Sequence, residues 1–144
     1  MQRATKILGP RQSPVNDVVL LSGLTELAAG ALTGWPYALA LNDADRGRRL
    51  GIRSTARLRQ WHLDLIALGS LSVLAATAMP ELPRRVGLPL AAGCWTNASS
   101  FGVLTFWPHL RDHRAYKAAV GTSFLCVSWA FTSLAVLGFR RGRR

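Results

Sequence analysis

Few residues in this chain could do chemistry, and the first is His62, in the run RLRQWHLDLIALG. A neutral imidazole is a common axial ligand for heme iron. A histidine facing the interior of a membrane bundle is well suited to that task. The competing reading is an interfacial histidine bonded to a lipid headgroup. Arg57 and Arg59 precede it, and Arg59 is one helical turn away. Guanidinium groups there can pair with carboxylates such as heme propionates, or simply anchor to lipid phosphates. Asn97 is the second candidate. At helical spacing Gly93, Asn97 and Phe101 form one stripe, with Ser100 beside it. A buried amide there must find partners, in a neighbouring helix or a ligand. Glu26 is the third, an ionisable side chain well inside an apolar run. Such a residue is costly and marks a function or a partner, with Thr25 and Thr33 as local options. His109 and His113, in PHLRDH, would share a helical face, but no glutamate follows the first as a zinc hydrolase motif requires. There is no Walker loop, GxSxG elbow, Rossmann fingerprint or CxxC.

These residues need elements to position them, and the elements are apolar runs. The chain has 144 residues, enough for one domain, and 49% are apolar while the formal charge is +11. The charges cluster and the apolar residues run together between the clusters. That pattern predicts an all-α membrane protein with four transmembrane helices in an antiparallel bundle. The spans are expected at about 18–41, 61–79, 86–107 and 118–139. Pro36 is expected to bend or end the first, and Pro80 to stop the second. The third is the least apolar, with Thr96, Asn97, Ser99, Ser100 and Thr105, which argues for an interior position. Between the first two spans, residues 42–60 hold six arginines and cannot sit in lipid. Their later part is expected to form an interfacial helix leading into the second span.

Arginines that flank apolar runs belong to lipid anchoring, so membrane lipid is an expected partner and nucleic acid is not. Cys94 and Cys126 both lie in apolar runs and read as packing residues. The basic N-terminus has no long apolar core before Pro14, so it does not read as a cleavable signal peptide. Each side of the four-span layout carries nine Lys and Arg, which leaves orientation open.

Together these features resemble the styrene oxide isomerases and their relatives. The resemblance is carried by two segments: the Arg-rich approach to His62 with WHLDLIALG, and Trp95-Thr96-Asn97 followed by Phe106-Trp107-Pro108, like the family's W-x-N with a later F-x-P. They cover about a quarter of the chain. The resemblance implies heme b as cofactor, with His62 as axial iron ligand and Arg59, Arg57 and Trp95 around it. It implies a homotrimer in a bacterial inner membrane and a small apolar epoxide as substrate. Ferric iron would act as a Lewis acid on the epoxide oxygen, with a 1,2-hydride shift giving an aldehyde. Asn97 and Phe101, the latter at the family's tyrosine position, would handle the substrate. Three positions depart from the family pattern: its asparagine six residues after the histidine is Leu68, an aspartate is Gly93 and the tyrosine is Phe101. Heme ligation is therefore the firmer expectation, with a site between spans two and three. A non-catalytic heme protein or a cofactor-free membrane subunit are the alternatives.

Overall fold

The computed structural model describes residues 13–79 and 81–143. The basic N-terminal stretch and Pro80, the expected stop of the second span, lie outside them. Among the described residues every regular element is a helix: α1 (Pro14–Asn42), α2 (Ala44–Arg49), α3 (Thr55–Ala78), α4 (Arg84–Phe106) and α5 (Arg114–Arg141), with a 3₁₀ segment at Pro108–Asp112. Three of these, α1, α3 and α5, are long and apolar enough to cross a membrane. Such a set marks a multi-pass membrane protein.

Each helix begins for a local reason. Ser13 caps α1 by accepting from the Asn16 backbone N–H, and Pro14 occupies the first turn, where a missing N–H costs nothing. Asp43 caps α2 and Ser54 caps α3 in the same way. Gly51, at φ +81°, makes the turn between these two helices; no other described residue has a positive φ. Pro36 neither ends α1 nor starts a loop, since the helix runs on to Asn42. Apolar surroundings leave the backbone no better partner than its own helix, so the proline is carried inside it. The arginine-rich segment resolves into α2 and the first turns of α3, which is continuous through Arg57, Arg59 and His62.

The helices pack in chain order. α1 lies along α3, α3 along α4 and α4 along α5, with a smaller contact between α1 and α4. α1 and α3 meet through glycines. A Cβ on Gly69 would lie 2.9 Å from the Gly23 carbonyl oxygen and 2.9 Å from Glu26 Cβ, and one on Gly23 would lie 2.7 Å from the Gly69 oxygen. Two backbones this close gain dispersion contacts that lipid cannot replace. α4 is sandwiched between α3 and α5, and it buries more residues than any other helix. α5 buries only Ser123 and Ala130 along its length.

Asn16 locks one end of the assembly. Its fully buried side chain donates to Ala76 O at 2.9 Å and Met79 O at 2.5 Å, and accepts from the Leu82 N–H at 2.9 Å. The start of α1 is thereby tied to the end of α3 and to the turn into α4. Asn16→Ala leaves three buried backbone groups unpaired, each worth about 1–3 kcal/mol. We expect the variant to lose at least about 2 kcal/mol, read as a lower midpoint in denaturant titration of the detergent-solubilised protein. At the opposite end, Thr105 O accepts from the Arg53 and Ser54 N–H groups at 2.8 and 3.2 Å.

Candidate functional site

His62 lies two turns into α3, half-buried, with its ring on α1. Nδ1 is 2.8 Å from the Gly30 carbonyl oxygen. A carbonyl only accepts, so Nδ1 carries the proton and donates it. The Thr33 hydroxyl, 3.4 Å from Nδ1, also donates to Gly30 O at 2.8 Å. The Tyr37 ring stacks on the imidazole, with centroids 6.1 Å apart and planes inclined by 25°. Gly34 leaves the space the ring fills, since a Cβ there would lie 3.3 Å from His62 Cε1. Among the described residues nothing hydrogen-bonds Nε2, and that atom is not closed off from the outside of the bundle.

The spacing of this seat is helical. Gly30, Gly34 and Tyr37 fall at i, i+4 and i+7 on one face of α1. The expected site between spans two and three does not form around the ring, because α3 turns His62 toward span one. Position 62 is about 100° around the helix from Trp61, and it is Trp61 that faces α4. The Trp61 indole fills the gap at Gly102, where a Cβ would lie 2.8 Å from Cε2, and meets Phe106 edge-on with centroids 6.3 Å apart. Its Nε1–H is buried without a partner.

The remaining candidates divide between faces. Arg59 is exposed on the approach to His62. Arg57 turns the other way and sets its guanidinium 5.6 Å from the centroid of Phe101 on α4. Such a cation–π contact contributes about 0.5–2 kcal/mol, and it commits Arg57 to α4. Trp95 and Asn97 are half-buried on α4. The Asn97 side-chain amide has no partner among the described residues, while its carbonyl accepts from the Ser100 hydroxyl at 2.7 Å. The Gly93–Asn97–Phe101 stripe is real as a helical alignment but is not one surface. Its Gly93 end is filled by α5, since a Cβ there would lie 3.0 Å from Cys126 Cβ and 3.1 Å from Val127 N. An aspartate at that position would not fit. Leu68 likewise packs against the main apolar core. The departures from the family pattern are thus packed positions, not vacated ones.

Other polar groups of α4 are spent on helix packing. Thr96 donates to Ser123 Oγ at 2.9 Å, Ser123 donates to Gly93 O at 3.1 Å, and Tyr116 donates to Ser100 O at 3.1 Å. His109 lies in the 3₁₀ segment and His113 follows it, so no helix presents them on one face. Among the described residues no group of three His, Cys, Asp or Glu side chains could hold a metal ion. Both cysteines are free thiols. Glu26 is fully buried, and neither threonine serves it: Thr25 donates to Leu21 O and Thr33 to Gly30 O.

No family model, curated protein or solved structure matches this chain. The likeness to the styrene oxide isomerases therefore rests on the two sequence segments alone.

Proposed function

We propose that this chain is a four-span membrane protein that binds heme b through His62 Nε2. The observation that carries the proposal is the division of labour on the imidazole. Nδ1–H is fixed on the Gly30 carbonyl and the ring is held between Gly34 and Tyr37, which leaves the Nε2 lone pair bare and directed. Histidines that ligate metals nearly always anchor their other nitrogen in this way, which selects the tautomer and raises ligand basicity. His62 fits the role without rearrangement. Arg59, exposed on the same approach, is the group available to a propionate. Arg57 is held at Phe101 and would serve a propionate only by leaving that ring.

Connectivity supports a fourth crossing by α4. α3 and α5 run in the same direction, and α4 must return the chain across the same thickness. Two contacts support this reading: Thr105 O, near the end of α4, meets the start of α3, and Arg85 O, at the start of α4, accepts from Trp129 Nε1, just past the middle of α5, at 3.0 Å. Its 23 residues, at ~1.5 Å each, are enough for a ~30 Å core. Its polar side chains are tolerated because α3 and α5 shield it.

For activity we propose the isomerisation of an apolar epoxide to an aldehyde, the reaction of the family it resembles. Bound ferric heme would supply Lewis-acid polarisation of a C–O bond. The chain's own part would be to orient the His62 imidazole and to exclude water with the apolar faces of α1 and α3. Among the described residues Asn97 is the one free side-chain amide that could hold a substrate oxygen, and Phe101 offers only an apolar wall. In a single chain they lie on α4, away from the imidazole's seat on α1, so they meet His62 only across a boundary between copies, as in a homotrimer. That separation favours the second reading, a heme protein without turnover.

The test is the absorption spectrum of protein purified from heme-replete cells, followed by a panel of aryl and alkyl epoxides. A Soret band with aldehyde formation supports the isomerase. A Soret band without turnover leaves heme binding, and a colourless protein rejects both.

A further inference from the structure

At the centre of the molecule three helices bring polar side chains together, away from His62 and with no part in its seat. Glu26, near the middle of α1, is 0% exposed, and both carboxyl oxygens lack a hydrogen-bond partner. Ser72 of α3 is also 0% exposed, and its hydroxyl is unpaired as well. Cys94 of α4, again 0% exposed, lies beside Ser72. The glycine contact at Gly23 and Gly69 presses α1 and α3 together and fixes Glu26 in this junction.

Three orphaned oxygen atoms in one buried place call for a guest. An isolated carboxylate in an apolar interior costs far more than a helix contact repays, so its charge must be neutralised there. No described ion pair involves Glu26; all three are exposed and lie at the ends of helices. The buried polar groups brought to this junction from other helices are the Ser72 hydroxyl of α3 and, beside it, the Cys94 thiol of α4. α1 adds the half-buried Ser22 one turn earlier but no charge nearer than Asp17, and α5, which places Cys126 against Gly93, has no charged residue between positions 118 and 139. One carboxylate balances one positive charge, and a divalent ion would remain a buried net cation. Oxygen donors of this kind suit a hard ion or a proton.

We infer that Glu26, Ser72 and Cys94 form an intramembrane binding site for a single monovalent cation, a proton or a sodium ion, that exchanges with water. Loaded, the site is neutral, with Ser72 supplying a second oxygen. Emptied, it holds an unpaired charge among apolar helices. The site therefore loads and empties against a conformational cost, which is the property of a group that couples ion binding to helix packing.

Infrared difference spectroscopy of the full chain in lipid vesicles tests this. In sodium-free buffer near neutral pH we expect a carbonyl band of an un-ionised carboxylic acid that shifts in D₂O and is absent in Glu26→Gln. If the guest is a proton alone, added sodium leaves the band unchanged. If sodium competes, the band disappears as sodium is added and returns when it is removed. Ser72→Ala and Cys94→Ala should each displace the band, which assigns it even where Glu26→Gln does not accumulate. Only ionised-carboxylate absorption in sodium-free buffer, or an acid band that never shifts in D₂O, overturns the proposal. So does a band indifferent to all three substitutions.

Discussion

Replacing His62 with alanine is expected to abolish the Soret band of protein purified from heme-replete cells while leaving the chain folded. The fold should survive because the ring is half-buried and contributes one hydrogen bond, at 2.8 Å, to an interface held mainly by glycine contacts. A more discriminating variant is Gly34→Leu. Its Cβ would stand 3.3 Å from His62 Cε1, so a longer side chain must rotate the imidazole away from Gly30. Loss of such an orienting contact costs about 10–100-fold in metal affinity where the histidine is a ligand. Heme titration of the apoprotein measures both. Affinity unchanged in His62→Ala would show that the iron, if bound, is held elsewhere.

The largest structural effect is expected from Gly69→Val. A Cβ there meets the Gly23 carbonyl oxygen at 2.9 Å and the Leu27 N at 3.0 Å, both backbone atoms that no rotamer change can move. Overpacking costs about 1–3 kcal/mol where side chains can yield, and more where they cannot. The variant should fail to give a monodisperse protein in detergent gel filtration, or melt far below the parent. Gly121→Ala is the matched control. Nothing lies within 4 Å of a Cβ at that position on α5, so the exchange should gain up to about 1 kcal/mol of helix propensity. Equal behaviour of the two variants would mean that α1 and α3 do not pack through Gly69.

Much of the fold was legible because apolar length and clustered charge are direct statements about lipid. The helices expected in the apolar runs came within a few residues of α1, α4 and α5, and the helical approach through Arg57 and Arg59 joined α3 as expected. His62 was legible as a residue type. Its partner helix was not, because a one-residue step along α3 separates the face toward α1 from the face that Trp61 turns to α4. The signal that would have found the seat is the i, i+4, i+7 spacing of Gly30, Gly34 and Tyr37. Of the two outcomes expected at Pro36, the helix end does not occur, because a proline ends helices more often in water than in an apolar bundle. The Asn16 clamp had no sequence signal beyond a cap next to Ser13, since its partners are backbone groups sixty or more positions away.

The order in which the helices touch has a consequence for how the protein is made. Because α1 lies on α3, α3 on α4 and α4 on α5, each long helix after α1 finds a docking partner already synthesised as it leaves the ribosome. α1 waits with polar side chains uncovered, Asn16 and Glu26, until α3 and the turn into α4 arrive. α4, the most polar of the long helices, emerges only after α1 and α3 have made the surface that receives it. Damage should therefore be graded by birth order. A fault at Gly69 removes the template for everything that follows, whereas one in α5 strikes a finished platform.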